Sequence, residues 1–349
     1  MFNLLEIRNL RQIELKKIKP KNGLNLITGN NGSGKTTVLE ALYILTHGRS
    51  FRYRESIPLI REGTIEYCIV AKFISNLQNQ CTIGVQCSKK EFKACLNGKK
   101  LVRRSEIVNL LPVVCINSEA QLLLTGGPEL RRNFLDTSMF HMEPQYLTCF
   151  QQYYRALNQR NAALKNQQKL LASWENIMQK AADKIDSWRQ AYIKNISILI
   201  HEYIKQWGMD ITIDIHYQRG WHQNMSFLES LNKAYITDNK LKYTSVGPHR
   251  ADIVIRSERI KSAKRLSRGQ LKMLACALYF SQAKLFLKKN NKNIILLFDD
   301  LSAELDDKNK EYLLNDIKHI FPQSFITALN LHDITRLTNI DSQFHMEHI

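Results

Sequence analysis

Residues Gly29-Asn30-Asn31-Gly32-Ser33-Gly34-Lys35-Thr36 fit the pattern G-x-x-x-x-G-K-[ST], and the chemistry of that pattern is the capture of a polyphosphate. Its glycines let successive backbone N–H groups converge on phosphate oxygens, and a helix that begins at the loop adds its positive dipole end. Lys35 is the side chain expected to reach the β- and γ-phosphates, and the Thr36 hydroxyl is the group expected to hold Mg²⁺. Thr37 follows in the same nucleotide-binding stretch.

A second run, Ile294-Ile295-Leu296-Leu297-Phe298-Asp299-Asp300, reads as a buried parallel strand that ends in two carboxylates. Asp299 is expected to organise Mg²⁺ through its water shell, and Asp300 to orient or deprotonate the water attacking a γ-phosphate. An apolar strand ending in acids is common and often only a solvated strand end. Paired with the loop at Lys35, it becomes the other half of a phosphoryl-transfer site.

The elements that must position these residues are legible around them. Leu24, Leu26 and Ile27 supply a strand before the loop, and Val38, Leu39, Leu42, Ile44 and Leu45 supply the apolar stripe of a helix after it. Up to about residue 116 the chain predicts strands at 65–73, 81–86 and Phe92–Leu96, the last closed by the Asn97-Gly98 turn, together forming a mixed sheet.

From about residue 146 to 207 the pattern changes. Trp174, Ile177, Met178, Ala181, Ile185, Trp188, Tyr192, Ile196, Leu199 and Tyr203 recur at spacings of three and four, which predicts long amphipathic helices. Arg155, Arg160, Lys165, Lys169, Lys180, Lys184, Arg189 and Lys194 fall on their polar faces. They fit a track for a phosphate backbone and equally an ordinary solvated surface. Alternation returns at Ile211, Ile213, Ile215 and Tyr217, so the helical segment is an insertion.

The 349 residues carry 50 Lys plus Arg against 32 Asp plus Glu, a net charge of +18 that favours a polyanionic partner, nucleic acid first. No apolar run is long enough to span a bilayer and no secretory leader is evident, which excludes a membrane role and predicts a cytoplasmic protein. Seven cysteines with no C-x-x-C pair read as reduced, mostly buried thiols. His345 and His348 near the end of the chain read as a solvated tail rather than a metal pair.

Leu266-Ser267-Arg268-Gly269-Gln270 precedes a helix-like run (Leu271, Leu274, Ala275, Leu278, Tyr279), which puts the Ser267 hydroxyl and nearby N–H groups at a positive helix end. This resembles the signature motif of ABC-type ATPases. Ala303-Glu304-Leu305-Asp306 stands where that family has its D-loop. Further stretches are Gly48-Arg49-Ser50-Phe51-Arg52, the segment from Gly126-Gly127-Pro128 through Arg131-Arg132 to Asp136, and Gly247-Pro248-His249-Arg250-Ala251-Asp252. With these the chain resembles, over nearly its whole length, the RecF family of SMC-like, ABC-type ATPases.

The resemblance implies an α/β ABC-type P-loop ATPase head with an inserted helical arm. It assigns 1–116 to the N-terminal part of the ATPase lobe with the phosphate loop, 117–245 to the arm, and 246–349 to the part with signature motif, Walker B strand and D-loop. It implies ATP and Mg²⁺ as cofactors, with Gly29, Asn30, Asn31, Gly32, Ser33, Gly34, Lys35, Thr36 and Thr37 on the nucleotide and Thr36 and Asp299 on the metal. Lys35, Asp300 and Ser267 are implied as catalytic.

In this family the signature loop serves the nucleotide of a facing protomer, so Ser267, Gly269 and Gln270 are expected to contact ATP across an ATP-dependent homodimer. The implied function is ATP-dependent DNA binding in recombinational repair and replication restart, on single strands and single/double-strand junctions. The implied partners are RecR and RecO, which act with the family to load recombinase.

Two departures bear on this reading. Ser118 stands where the family usually has Pro before Glu, leaving the Q-loop role open between Gln121 and Glu119. The strand containing 325–328 leads into Leu329-Asn330 without the switch histidine of transporters, which predicts slow hydrolysis, and His332 reads as a surface loop residue.

Three other classes compete. A transporter-type ABC ATPase subunit would need a membrane partner and leaves the net charge unexplained. A chromosome-structuring SMC head would need a far longer insertion, because 35-residue helices reach only about 50 Å at 1.5 Å per residue. A small-molecule kinase has no use for a signature motif.

Overall fold

The computed structural model describes the chain except for residues 54–56, 76–77, 103–105, 107–110, 167–170, 258–259, 262–264, 291 and 348–349, so Lys169 and His348 lie outside the described residues. Chain contacts divide it into two units, Met1–Ala120 with Asn290–Ile349, and Gln121–Lys289. The division draws the first unit from both ends of the chain. Its second boundary falls after Lys289 rather than after 245, so the signature helix belongs to the second unit.

The first unit holds two sheets rather than the single mixed sheet expected. One is six-stranded and antiparallel, in the order β2-β1-β4-β5-β6-β7. Its strands are β1 (Phe2–Leu10), β2 (Ile13–Ile18), β4 (Glu66–Ile74), β5 (Gln80–Ser88), β6 (Phe92–Leu96) and β7 (Lys99–Lys100). The β6–β7 hairpin turns at Asn97 and Gly98, both at positive φ (49° and 80°), as an Asn-Gly turn requires.

The other sheet is five-stranded and parallel, in the order β14-β3-β13-β12-β8. Its strands are β3 (Gly23–Gly29), β8 (Val113–Ile116), β12 (Ile295–Phe298), β13 (Gln323–Ala328) and β14 (Ser342–Met346). The sequence separates the two sheets by pattern. β4 and β5 alternate buried and more exposed residues, whereas β12 and β13 are buried throughout, as a parallel strand covered on both faces must be.

Helix α1 (Lys35–His47) lies in one apolar cluster with strands of both sheets, including Leu39, Leu42, Ile69, Val85, Leu297 and Phe325. Gln323 ties the sheets together. Its amide accepts from Phe2 N at 2.8 Å and donates to Phe2 O at 2.7 Å and Lys21 O at 2.9 Å.

The second unit contains helices α2 (Leu122–Thr125), α3 (Pro128–Met142), α4 (Tyr146–Lys165), α5 (Ala172–Gln206), α6 (Phe227–Leu241) and α7 (Arg268–Asn290). A small antiparallel sheet, β11-β10-β9, is built from β9 (Ile213–Gln218), β10 (Asp252–Ser257) and β11 (Ile260–Lys261). The expected helical stripe is present: Met178, Ala181, Ile185, Tyr192, Ile196 and Tyr203 are buried, although Ile177 is exposed.

Two of the basic residues placed on polar faces are instead interior. Arg160 is 0% exposed and Arg189 is 1% exposed. Arg160 pairs with Glu175 at 2.9 Å and Asp238 at 2.8 Å, and Arg189 pairs with Asp136 at 2.6 Å and donates to Pro248 O at 2.8 Å. Buried charges persist only when paired and hydrogen-bonded, so these two cannot track a phosphate backbone. Arg155, Lys165, Lys180, Lys184 and Lys194 are exposed.

The stretches Gly126 to Asp136 and Gly247 to Asp252 meet in this unit. Arg131 makes a bidentate pair with Asp252 (Nε to Oδ1 2.6 Å, Nη2 to Oδ2 3.1 Å), and Arg132 donates to Ala251 O at 2.9 Å. Gly247 sits at φ 134°, where a Cβ would run into the Tyr153 hydroxyl. That hydroxyl is instead hydrogen-bonded to His249 Nδ1 at 2.7 Å.

All seven cysteines are free. His345 is a residue of edge strand β14, with Nδ1 3.2 Å from Thr28 Oγ1, rather than part of a loose tail. Among the described residues, no helix is long and apolar enough to cross a membrane.

Candidate functional site

The first unit brings the two ends of the expected site together because β3 and β12 flank β13 in the parallel sheet. Both run in the same direction, so the loop after Gly29 and the carboxylates after Phe298 emerge at the same edge. Ligands of open α/β sheets bind at the carboxyl ends of the strands.

The loop closes as its glycines predict. Gly34 caps α1 at φ 98°, a conformation costly for any residue with a Cβ. Ser33 N donates to Asn30 O at 3.2 Å, and Val38 N to Gly34 O at 3.1 Å. Lys35 curls back, its ammonium donating to Gly29 O at 2.6 Å and Asn30 O at 2.8 Å. Burial lowers its pKa, opposed by the charges of Asp300 and Asp299.

Thr36 Oγ1 lies 3.0 Å from both carboxylate oxygens of Asp299. Asp299 is buried, and Thr327 Oγ1 donates to its Oδ1 at 2.7 Å. Thr327 Oγ1 also accepts from Asp300 N at 2.8 Å, which fixes the backbone of Asp300 at φ 54°. One hydroxyl thus holds the carboxylate of Asp299 and the backbone of Asp300. Its sign in the sequence is a lone polar residue within the apolar run Phe325-Ile326-Thr327-Ala328.

A cavity of about 520 Å³ is lined by Asn31, Gly32, Gly34, Lys35, Thr36, Thr37, Asp299, Asp300, Thr327 and Ser118, with Arg11, Gln12, Arg52 and Leu329. Of the expected nucleotide residues, Gly29 and Asn30 present carbonyls to Lys35, and the buried Ser33 hydroxyl has no hydrogen-bond partner. Thr37 is buried and turned towards Gln12 Oε1 at 3.4 Å.

Arg11, Gln12, Arg52 and Thr327 were not among the expected site residues. Arg11 and Gln12 sit in the β1–β2 turn, and nothing in their local pattern marks them as site residues. Of the segment carrying the open Q-loop assignment, Ser118 lines the cavity, while Glu119 is exposed.

The donor set fits a hard cation: a hydroxyl and a carboxylate, both oxygen, with acids beside them. Among the described residues no group of three His, Cys, Asp or Glu side chains could hold a metal alone. Mg²⁺ here would rest on Thr36 and Asp299 and on phosphate and water oxygens, as is usual for nucleotide-bound Mg²⁺.

In the second unit Ser267 is the N-cap of α7. Gln270 N donates to Ser267 Oγ at 3.3 Å and Ser267 N to Gln270 Oε1 at 2.9 Å, a capping box that leaves the exposed Ser267 at a positive helix end. In the first unit Asp306, at the end of the expected D-loop, caps helix α8 (Asp307–Ile320) by accepting from Asn309 N at 2.8 Å. His332 opens the short helix α9 (His332–Thr335) and is exposed.

Residues 1–348 match the family model described as the RecF/RecN/SMC N terminal domain. The DNA replication and repair protein RecF of Photorhabdus laumondii subsp. laumondii is 34% identical over 344 residues, covering 97% of this chain and 94% of its own. The chain belongs to the RecF family. RecF of Escherichia coli O7:K1 is 33% identical over 342 residues, covering 97% of this chain and 96% of its own.

Among solved structures, RecF with ATP in the RecFOR pathway superposes with a TM-score of 0.88 at 25% identity, over 99% of this chain and 95% of that one. An Smc head bound to the C-winged helix domain of ScpA superposes at 0.60 and 16% identity, over 99% and 93%, a likeness of fold alone. The RecF fold is therefore that of an SMC-type ABC ATPase head, as the sequence implied.

Proposed function

We propose that this RecF-family chain is an ATP-dependent DNA-binding protein of recombinational repair and replication restart. The observation that carries the reading is the direct contact of Thr36 with Asp299 beside Lys35 and Asp300 in one cavity. That is the arrangement phosphoryl transfer to water requires: a loop and cation for the phosphates, oxygen donors for Mg²⁺, and a second carboxylate for the water.

Each residue has a task. Lys35 gives its ammonium to the β- and γ-phosphates, and the N–H groups from Asn31 to Thr36 hold their oxygens. Thr36 and Asp299 hold Mg²⁺, which when bound neutralises charge on the transferred phosphoryl group. Asp300, its backbone fixed by Thr327, orients the attacking water and takes its proton. Little covalent chemistry is asked of the protein, so turnover rests on positioning and is slow until the site is completed.

Completion falls to a second copy. Ser267, at the exposed N-terminus of α7, and the adjacent Gly269 and Gln270 supply a hydroxyl and N–H groups to the γ-phosphate held by Lys35 of the facing protomer. ATP then closes a homodimer on DNA and hydrolysis releases it. The net charge of +18 and the relatives' role in DNA replication and repair support a DNA partner. Single strands and junctions are the DNA forms expected, with RecR and RecO as partners in loading recombinase. Such a partnership places the protein in the cytoplasm.

The test is sedimentation with and without Mg-ATP and DNA. A monomer that becomes a dimer only with ATP, and binds DNA more tightly in that form, is the expected result. A mass indifferent to ATP overturns the reading.

A further inference from the structure

The Glu40 carboxylate is 0% exposed, on α1 below the phosphate loop. A carboxylate this deep needs partners, and its partners here come from two loops that border the cavity. Arg11 Nε lies 2.6 Å from Glu40 Oε2 as an ion pair, and Arg11 Nη2 donates to Oε1 at 3.2 Å. Ser50 Oγ donates to the same Oε1.

Ser50 extends the chain of contacts into the segment that follows. Its Oγ accepts from Arg52 N at 2.9 Å and from Tyr53 N at 3.1 Å. The Tyr53 ring lies under the Arg11 guanidinium, 4.9 Å from centroid to Cζ, so the two loops also touch each other. Arg11 itself is held at φ 51°, with its N–H on Leu59 O at 2.8 Å. Both Arg11 and Arg52 line the cavity with Lys35, Thr36, Asp299 and Asp300.

We infer that Glu40 is a positioning residue for nucleotide binding: it holds Arg11 by direct charge pairing, and the backbone at Arg52 through Ser50, beside the polyphosphate. The inference rests on the ATP reading above. The helix that presents Lys35 and Thr36 to the phosphates thereby also sets the two arginines, so all the cationic contacts share one rigid element. Holding the Arg11 side chain and the backbone at Arg52 in advance lowers the entropy that binding would otherwise cost.

The charge arm and the loop arm can be cut separately. Glu40→Gln keeps an oxygen for Ser50 but removes the charge that holds Arg11, and Ser50→Ala removes the link to the Arg52 loop. Mg-ATP affinity is measured by calorimetric titration on the full chain for wild type, Glu40→Gln, Arg11→Ala and the double variant, and likewise for Ser50→Ala, Arg52→Ala and their double.

Each single substitution is expected to weaken binding about tenfold, the size of one charge-assisted contact. Each double variant is expected to bind no more weakly than its arginine single, and Glu40→Asp to recover part of the loss. A merely structural Glu40 gives effects that multiply instead, because the two sites then act independently. Multiplying effects, or wild-type affinity in Glu40→Gln, overturn the inference. Should Glu40→Gln not fold, Glu40→Asp takes its place in the cycle with Arg11→Ala and decides by the same criterion. A wild-type chain that binds no ATP brings down the nucleotide reading and this inference with it.

Discussion

Thr36 and Asp299, 263 positions apart in the chain, are joined by hydrogen-bonding distances of 3.0 Å from one hydroxyl to both carboxylate oxygens. The contact closes the interrupted lobe at its chemical centre. In the proposed function it is also where Mg²⁺ would enter, between a neutral donor on the helix and a charged one on the strand end.

Lys35→Met removes the cation of the phosphate loop and leaves the apolar packing of α1 in place. Mg-ATP binding is expected to weaken by at least about 1.5–3 kcal/mol, the worth of a hydrogen bond to a charged group. A nucleotide titration measures it, and unchanged affinity would show that the loop binds something else.

The two carboxylates should separate by substitution. Asp299→Asn is expected to weaken Mg²⁺-dependent ATP binding. Asp300→Asn should keep ATP and Mg²⁺ and lower turnover by about 10²–10⁴-fold, the range of a general base. Thr327→Val, which unhooks both, should resemble a milder form of each. Wild-type turnover in Asp300→Asn would reassign the base.

Ser267→Arg places a bulky cation at the exposed N-terminus of α7. ATP should still bind each monomer without dimerising it. Mixed with Lys35→Met, this variant forms a heterodimer with one intact composite site, and some ATPase activity should return. A mixture that associates but stays inactive would sink the trans-site mechanism.

DNA affinity should fall steeply with salt, with a log-log slope of roughly −0.9 per phosphate neutralised on duplex DNA. It should also rise with ATP. Fluorescence anisotropy across a salt series measures both, and a flat response would point to a partner other than nucleic acid.

His249 gives the second unit an acid limit. Burial is the main cause that lowers its pKa from 6.5 to about 4, against the raising effect of its hydrogen bond to Thr244 O. A depressed histidine pKa contributes stability that is present above 6.5 and lost as pH falls through about 4. Up to roughly 3 kcal/mol should disappear across that window. Thermal melting against pH measures it, and His249→Gln should flatten the curve between those values. An unchanged slope would mean that other groups set the acid limit.

The sequence by itself determined the elements whose information is local. The phosphate loop needs glycines at fixed offsets and a helix directly after it, and both are written in consecutive residues from Gly29 to Leu45. The all-apolar run ending at Asp299-Asp300 and the Ser267–Gln270 capping box are local in the same way, as is the three-and-four spacing of the long helices. Tertiary structure alone decided how the strands sort into two sheets, because strand pairing is set by partners far away in the chain. It also decided that Arg160 and Arg189 are interior, since a helical pattern marks an angular position but not whether a carboxylate from another element covers it. Thr327, Arg11 and Arg52 reach the cavity for the same reason. Their role comes from what the fold brings beside them; only Thr327 leaves a trace in the chain, as a lone polar residue in an apolar strand run.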